Sequence, residues 1–279
     1  MSIQASSLKR PSRRGVLGLL GLALTVGGGA AWAQSAGGNT VKLIVGYAAG
    51  GPVDSSARVF APVLSRELGQ PVIVENRPGA GGAVAGNTVV KSAPNSLEIF
   101  YAASPTMTIS PHVLKAMAFD PLKDMTPLAT ILSYANVLVI NQNQPFKTLP
   151  ELVAFGKANP GKLAYGSAGM GASNHLSGEL FARRAGINMT HVPYKGNAPA
   201  MTDVMGGQIQ MMFDIVGGAK AHIDGGKVKP LAVTSKERNP ALPQLPSMTE
   251  LGIRDYDVGG WYGLYGPLGM SSELSQKIT

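Results

Sequence analysis

The stretch Tyr165-Gly-Ser-Ala-Gly-Met-Gly-Ala-Ser-Asn-His-Leu176 decides the fold, because it leads from a strand into a helix through a loop of small residues. Residues 162–165 are typical of a short strand, and an amphipathic helical pattern begins near Ser173, which we expect to be the N-cap. Glycine lets a ligand approach the main chain, and the first N–H groups of a helix have no intrahelical partners. This corner is therefore suited to binding an anion.

A second corner of the same kind, Tyr47-Ala-Ala-Gly-Gly-Pro-Val-Asp54, follows an apolar strand at residues 41–47 and precedes a helix at residues 55–68. Two such corners facing each other would form a clamp for a small anion, with main-chain amides as the donors. We refer below to residues 47–54 as the first corner and to residues 167–174 as the second corner.

Strands and helices alternate along the chain, which predicts βαβ units and mostly parallel sheets flanked by helices, an α/β fold. The long extended segment at residues 128–141 is placed to cross from one domain to another, and a second α/β series follows it. Thr148 with Glu151 and Ser247 with Glu250 have the spacing of capping boxes.

The first 33 residues read as a signal peptide. A basic region ending in Arg13-Arg14 precedes an apolar run at residues 16–26 and a small-x-small cleavage pattern, Ala31-Trp32-Ala33. The paired arginines also fit a twin-arginine signal, so both export routes stay open, with the periplasm as the destination. The run is too short and glycine-rich for a span of about 20 residues, and a membrane anchor is the alternative.

Composition excludes several classes of function. The chain has 279 residues and no cysteine, which rules out disulfides and cysteine nucleophiles. Its net charge of +8 falls to +4 when the four basic residues of the first 33 are set aside. The remaining basic residues are scattered rather than clustered, which argues against a nucleic-acid surface.

Signatures of chemistry are weak. Gly166-Ser167 lacks the first glycine of a nucleophile elbow, and the glycine-rich stretch lacks the P-loop Lys-Ser/Thr and the third dinucleotide-binding glycine. His175 and Glu179 have one-turn helical spacing, which is more typical of a surface pair than of a metal site. Asp54, Asp203 and Asp214 are acid/base candidates only if the fold gathers them. Otherwise Asp54 would be an N-cap, Asp203 a solvated helix residue and Asp214 a strand end. No cofactor is expected.

Seven motifs, in this order, make the chain similar to the extracytoplasmic receptors of tripartite tricarboxylate transporters, the Bug or TctC-type family. They are Val45-Gly-Tyr-Ala-Ala-Gly-Gly-Pro-Val-Asp54, Val74-Glu-Asn-Arg-Pro-Gly-Ala-Gly-Gly82, Asp120-Pro-Leu-Lys-Asp-Met-Thr-Pro127, residues 165–181, Val192-Pro-Tyr-Lys-Gly-Asn-Ala-Pro199, Gly206-Gly-Gln208 and Gly260-Trp-Tyr-Gly-Leu-Tyr-Gly-Pro267.

The resemblance implies a two-domain periplasmic-binding-protein fold that closes over its ligand, the Venus flytrap arrangement, and passes the solute to a membrane permease. Its expected domains are residues 34–137, residues 138–253, and a return to the first domain at residues 254–279. It implies that both corners hold a carboxylate, that the end of the third strand lines the cleft, and that Asp214 meets it. The implied binding residues are Tyr47, Ala49, Gly50, Gly51, Asp54, Ser104, Thr106, Ser167, Ala168, Gly169, Ala172, Ser173, Asn174 and Asp214.

Two features depart from the family pattern. Pro94-Asn95-Ser96 replaces the usual Pro-Asp-Gly, and the chain ends at Thr279, where relatives continue, so we expect a truncated first domain. The ligand class stays open among di- or tricarboxylates, aromatic acids and amino acids, and we expect a monomer. The alternatives are a secreted α/β hydrolase or transferase using Asp54, Asp214 or His175, and a soluble sensor that feeds a signalling partner.

Overall fold

The structure, a computed structural model, describes residues 40–115 and 117–279, so the predicted signal peptide lies outside the described residues. The strands are β1 Val41–Val45, β2 Val72–Asn76, β3 Glu98–Ala103, β4 Met125–Asn141, β5 Leu163–Ser167, β6 Met189–Pro193, β7 Met211–Ile215, β8 Val228–Val233 and β9 Gly259–Pro267. The helices are α1 Pro52–Leu68, α2 Ala83–Val90, α3 Ser104–Thr108, α4 Ser110–Val113, α5 Leu149–Ala158, α6 Ser173–Ala185, α7 Asn197–Met205, α8 Val216–Asp224 and α9 Ser272–Ile278.

The strands form a mixed sheet in the order β2-β1-β3-β9-β4-β7-β5-β6, with β8 paired to β4. The pairs β1–β2, β1–β3, β5–β6 and β5–β7 are parallel, as the intervening helices require. The pairs that involve β4 or β9 are antiparallel. The predicted α/β fold is confirmed, and it is the two-domain fold of periplasmic solute-binding proteins.

Strand β4 belongs to both parts of the sheet. Its residues up to Ala135 pair with β9, whereas Asn136 is the first residue paired with β7. We call β2, β1, β3 and β9 the first half-sheet, and β7, β5, β6 and β8 the second half-sheet. The segment predicted to be extended at 128–141 is this strand, and the predicted domain boundaries stay a prediction.

Both faces of the first half-sheet are covered by helices, which explains its apolar strands. Leu43 and Val45 pack with Ala57 and Leu64 of α1. Ile44, which points to the opposite face, belongs to a separate cluster that includes residues of α2. The sheet thus fixes its strand ends, and the loops that follow them, in rigid positions.

The helix starts differ from two predictions. Helix α1 begins at Pro52 rather than at residue 55, because proline has no N–H to lose at the first helical position and its φ angle suits a helix. Asp54 therefore lies in the first turn and is not the N-cap, which is Gly51. The prediction of Ser173 as N-cap is also wrong: Ala172 is the N-cap and Ser173 is the first helical residue.

The two capping boxes behave differently. Thr148 is the N-cap of α5, and its side chain accepts a hydrogen bond from the Glu151 amide, as predicted. Ser247 likewise accepts a hydrogen bond from the Glu250 amide, but residues 248–252 form a turn instead of a helix.

Candidate functional site

Two adjoining cavities lie between the two half-sheets, beside the first and second corners. The inner cavity, of about 10 Å³, is lined by Tyr47, Val53, Ala103, Pro105, Tyr134, Ala168, Ala172, Ser173, Asn174, Asn197 and Ile215. The outer cavity, of about 820 Å³, shares Tyr134, Asn197 and Ile215 with it and extends past Gly50, Gly51, Asp214, Val216, Gly218 and Tyr262. The inner cavity has room for about one water molecule, and the outer one is within the usual range for a small ligand.

The first corner is held by a carboxylate. Asp54 is buried at the start of α1, and its Oδ2 accepts hydrogen bonds from the Gly50 amide and from Arg58 Nε, both at 3.0 Å. Asn76 Nδ2 donates to Asp54 Oδ1 at 2.9 Å and to the carbonyl oxygen of Tyr47 at 3.0 Å. Burial alone would raise the pKa of Asp54, but these hydrogen bonds and the Arg58 charge lower it below its usual value. The corner is therefore anchored by an ionised group.

The second corner is held by neutral groups. Asn174 Oδ1 accepts a hydrogen bond from the Ala168 amide at 3.0 Å, Ser167 Oγ accepts one from the Gly169 amide at 3.1 Å, and His175 Nδ1 accepts one from the Gly171 amide at 3.2 Å. Three amides of this loop are thus occupied by side chains of the chain itself. The prediction that the loop offers several free amides to a ligand does not hold for these three.

A histidine pair lies beneath the second corner. Ser167 Oγ is 2.6 Å from His191 Nε2, and the rings of His191 and His175 have centroids 4.3 Å apart. Burial, followed by the neighbouring His175, lowers the pKa of His191 to about 4, and burial lowers the pKa of His175. Both imidazoles are therefore neutral near pH 7. His175 is buried and not part of a surface pair with Glu179, whose Oε1 accepts a hydrogen bond from Tyr165 at 2.6 Å.

Four helix N-termini converge on the two cavities. They are those of α1, α6, α7 and α8, whose N-cap residues are Gly51, Ala172, Gly196 and Ile215, and none of these caps makes a side-chain hydrogen bond. The first residues of each helix line one cavity or both. Because the N-terminus of a helix carries a partial positive charge and unpaired N–H groups, this convergence favours an anion.

Four polar side chains complete the walls. Asp214 Oδ1 accepts hydrogen bonds from Asn197 Nδ2 and, at 2.8 Å, from the Ile215 amide, and burial raises the pKa of Asp214 to about 6 despite them. Burial also raises the pKa of Tyr134, although the Ser173 and Ser104 side chains act in the opposite direction. The hydroxyl of Tyr262 is buried without a hydrogen-bond partner in the described part of the chain.

The structure brings many of the predicted residues to the cavities and places others behind them. Tyr47, Ala168, Ala172, Ser173 and Asn174 line the inner cavity, and Gly50, Gly51 and Asp214 line the outer one. Those outside both linings are Ala49, Asp54, Ser104, Thr106, Ser167 and Gly169. Several of these have supporting contacts: Ser104 Oγ accepts a hydrogen bond from the Trp261 amide, and Thr106 Oγ1 donates to the carbonyl oxygen of Gly81 at 2.7 Å.

Tyr134 and Asn197 line both cavities but are not among the binding residues predicted from the sequence. Tyr134 lies within a long strand, where nothing in the pattern distinguishes it. A usable signal existed for α8, because Asp214-Ile-Val-Gly-Gly218 is another strand followed by small residues. Asn197 lies in a quoted family motif, but its hydrogen bond to Asp214 depends on the position of β7.

The two half-sheets are in contact around the cavities. The Ala48 amide donates to the carbonyl oxygen of Lys195 at 3.0 Å, and Pro52 lies against Gly218. A Cβ atom on Gly81, which has a positive φ, would lie 2.6 Å from the carbonyl oxygen of Met170. The two half-sheets are therefore closed on each other around the cavities in this structure.

Within residues 40–115 and 117–279, no group of three or more His, Asp or Glu side chains is arranged to hold a metal ion. Among the same residues, every helix is too short or too polar to cross a bilayer.

The fold is that of the periplasmic solute-binding proteins, and the helix N-termini meet in the cleft between the two half-sheets. The chain belongs to the TctC family: the family profile, described as tripartite tricarboxylate transporter family receptor, matches residues 56–279. A "UPF0065 protein in gbd 5'region" from Cupriavidus necator is 36% identical over 238 residues, which are 85% of this chain and 72% of that protein.

Solved structures agree with this family. The periplasmic binding protein BugD is 34% identical with a TM-score of 0.83, over 86% of this chain and 80% of that one. Rpa4515 from R. palustris, solved with adipate, is 31% identical with a TM-score of 0.83 over the same shares of the two chains. The resemblance found in the seven motifs is therefore confirmed.

Proposed function

We propose that this protein is a periplasmic receptor that captures a small carboxylated solute between its corners and passes it to the permease of a tripartite tricarboxylate transporter. The single observation that carries the proposal is the convergence of four N-termini without side-chain caps on two adjoining cavities. Family membership and the adipate bound by a relative support the carboxylate as the anion.

The predicted binding residues remain part of this proposal, with a division of roles. Tyr47, Ala168, Ser173 and Asn174 would face the solute from the inner cavity, and Gly50, Gly51 and Asp214 from the outer one, along with Tyr134 and Asn197. The roles of Asp54, Thr106 and Ser167 would be to hold the corners in shape, since their side chains bond to main-chain or side-chain atoms behind the cavities.

The inner cavity is too small for a carboxylate, which implies that the corners part to admit the solute. Hinged closure is a common way to sequester a ligand. A solute that bridges Gly51 and Asn174 would then hold both half-sheets together. The domain boundaries at residues 137 and 253 stay part of this proposal.

Binding without catalysis is the function that the geometry favours. The histidine–serine contact at Ser167 and His191 has the separation of a nucleophile and its base, but neither residue lines a cavity and Ser167 is 0% exposed. Asp54 accepts hydrogen bonds at both of its carboxylate oxygens, and Asp214 accepts two at Oδ1. We accordingly assign the protein no catalytic residue. Export of residues 34–279 to the periplasm and a monomeric state are part of the proposal.

Calorimetric titration tests the proposal. A panel of adipate, citrate, benzoate and glutamate is first screened by thermal shift, because a bound ligand stabilises the folded state by mass action. For the acid that binds, Ser173→Ala and Gly51→Leu should each weaken binding by about 1–3 kcal/mol, through a lost hydrogen bond or a filled cavity. Gly51 has a negative φ, so a side chain there does not strain the backbone.

The exposed Ser272 on α9 supplies a matched control, Ser272→Ala, which should bind like the unmodified protein. Unchanged affinity in both cavity variants, with the fold intact by circular dichroism, would remove the proposed site.

A further inference from the structure

Asp214 is a buried carboxylate that faces the outer cavity. It is 2% exposed, it is the penultimate residue of strand β7, and its Oδ1 accepts hydrogen bonds from Asn197 and from the Ile215 amide. In the part of the chain that the structure describes, the wall of the outer cavity contains no lysine or arginine that could pair with Asp214. Besides Asp214 and two tyrosines, the only titratable residue that lines it within residues 40–115 and 117–279 is His222. A negative charge in this position is best matched by a hydrogen-bond donor on whatever fills the cavity.

Tyr262 is a second, independent indication that the cavity is built for a polar group. Its side chain is 2% exposed, lines the outer cavity, and ends in a hydroxyl that has no hydrogen-bond partner within the described residues. Its ring lies beside that of Tyr134, with centroids 4.9 Å apart. A buried hydroxyl without a partner destabilises the folded state, and a ligand that bonds to it removes that cost.

Asp214 and Tyr262 favour some chemical groups of a solute over others. A second carboxylate placed against Asp214 would bring two negative charges together in a site of low dielectric, which is unfavourable. An amine or a hydroxyl can instead donate to Asp214, and a hydroxyl can also accept from Tyr262. The anionic end then belongs at the N-terminus of α6, whose Ser173 and Asn174 line the inner cavity, whereas Asp214 lines only the outer one.

We propose that the preferred solute carries, besides its carboxylate, an amine or hydroxyl group that donates to Asp214 and bonds to Tyr262 in the outer cavity. This inference rests on the proposed function and narrows it, because it selects amino acids and hydroxy acids over simple mono- and dicarboxylates. Asp214 and Tyr262 become determinants of specificity.

The experiment uses three matched series that share a carbon skeleton: propanoate, lactate and alanine; succinate, malate and aspartate; 3-phenylpropanoate, phenyllactate and phenylalanine. Thermal shift identifies the skeleton that binds, and titration calorimetry compares its members. The hydroxy or amino member should bind about tenfold or more tightly than the member without a donor, the effect of one charge-assisted hydrogen bond.

Two variants and one control separate specificity from folding. Asp214→Asn should abolish the preference for the amino member, whereas the control Asp203→Asn, which changes a half-buried carboxylate on α7 outside both cavity linings, should preserve it. Tyr262→Phe should weaken binding of the donor-bearing member while leaving the melting temperature of the free protein unchanged or higher, because it deletes an unpartnered hydroxyl.

Equal affinity for all members of the binding series, or a preference that survives Asp214→Asn, overturns this inference and leaves the carboxylate receptor intact. If no member of any series binds and the acids of the broader panel fail as well, the proposed function fails and this inference falls with it.

Discussion

The two glycine-rich corners look alike in sequence and are stabilised in opposite ways. The first corner is organised by one ionised carboxylate, Asp54, which gathers an amide, a guanidinium and an asparagine. The second corner is organised by uncharged side chains, with Ser167, Asn174 and His175 each accepting one loop amide. Similar loops of small residues therefore do not imply similar chemistry behind them.

The two corners also differ in solvent exposure and in their expected response to pH. Gly50 is exposed in the first corner, whereas the second corner is buried except at Met170. A charge-anchored loop loses its anchor only in strong acid, while a loop that depends on neutral imidazoles loses it in mild acid. Three predictions test this contrast, from the largest expected effect to the smallest.

Removing the carboxylate of the first corner should have the largest effect. Asp54→Ala leaves the Gly50 amide and Asn76 without their acceptor, and should lower the free energy of unfolding by about 3 kcal/mol in urea denaturation. Asp224→Ala is the matched control, because Asp224 also pairs with a basic residue one helical turn away, Lys220, but on the exposed surface. The control should cost less than about 1 kcal/mol. Equal losses of unfolding free energy in the two variants would show that the Asp54–Arg58 pair contributes no more than an exposed ion pair.

Removing the hydroxyl of the second corner should cost less, since no charge is involved. Ser167→Ala leaves the Gly169 amide without its acceptor and His191 without its 2.6 Å partner, and should destabilise the protein by about 2 kcal/mol. The same denaturation assay applies, with Ser272→Ala as a control that should change stability little. A loss larger than that of Asp54→Ala would reverse the proposed contrast.

The smallest effect is a dependence of stability on pH. Because the pKa of His191 is lowered from 6.5 to about 4, and that of His175 is also lowered, the unfolded chain takes up protons first in acid. Their stabilising contribution is complete above pH 6.5 and is lost as the pH falls toward 4. Protonation would also remove His175 Nδ1 as an acceptor for the Gly171 amide.

Asp214 acts in the opposite direction in the same window, since its raised pKa of about 6 stabilises the folded state as the pH falls. We therefore expect the histidine effect, about 1–2 kcal/mol after allowance for solvent screening, to be clearest in an Asp214→Asn background. Unfolding free energies from pH 7.5 to 4.5 measure it, and His191→Gln should flatten the curve. The contribution of Asp54, whose pKa is lowered, should disappear only below pH 3.8. A curve that His191→Gln leaves unchanged would contradict the assignment.

Sequence patterns predicted the order of strands and helices well, because hydrophobic spacing and turn residues act locally. They failed at the helix starts that matter. Serine is a favoured N-cap residue, but Ser173 is the first helical residue and Ala172 is the N-cap. The Asn174 side chain instead accepts a hydrogen bond from the Ala168 amide. Pro52 resembled part of the loop because Gly-Pro pairs often occur in turns, yet it is the first residue of α1.

Only part of the candidate site could be predicted, because many of its contacts depend on the pairing of strands that are far apart in sequence. His175 and His191 are brought together by the parallel register of β5 and β6, in which Tyr165 lies opposite His191. Asn76 reaches Asp54 because β2 lies beside β1. Tyr134 and Tyr262 face each other because β4 pairs with β9. No local spacing encodes these contacts, so residue types alone could not reveal them.

One feature of the fold bears on how the molecule would move. The hydrogen-bond ladder of β4 changes partner within a single residue step, from Gly259 opposite Ala135 to Ile215 opposite Asn136. Bending at this step would preserve the ladders on either side, so a small rotation there can separate the corners at little cost in main-chain bonding. Tyr134 stands next to this pivot and also lines both cavities. A solute in contact with the Tyr134 ring would therefore lie beside the point at which β4 bends when the two corners separate.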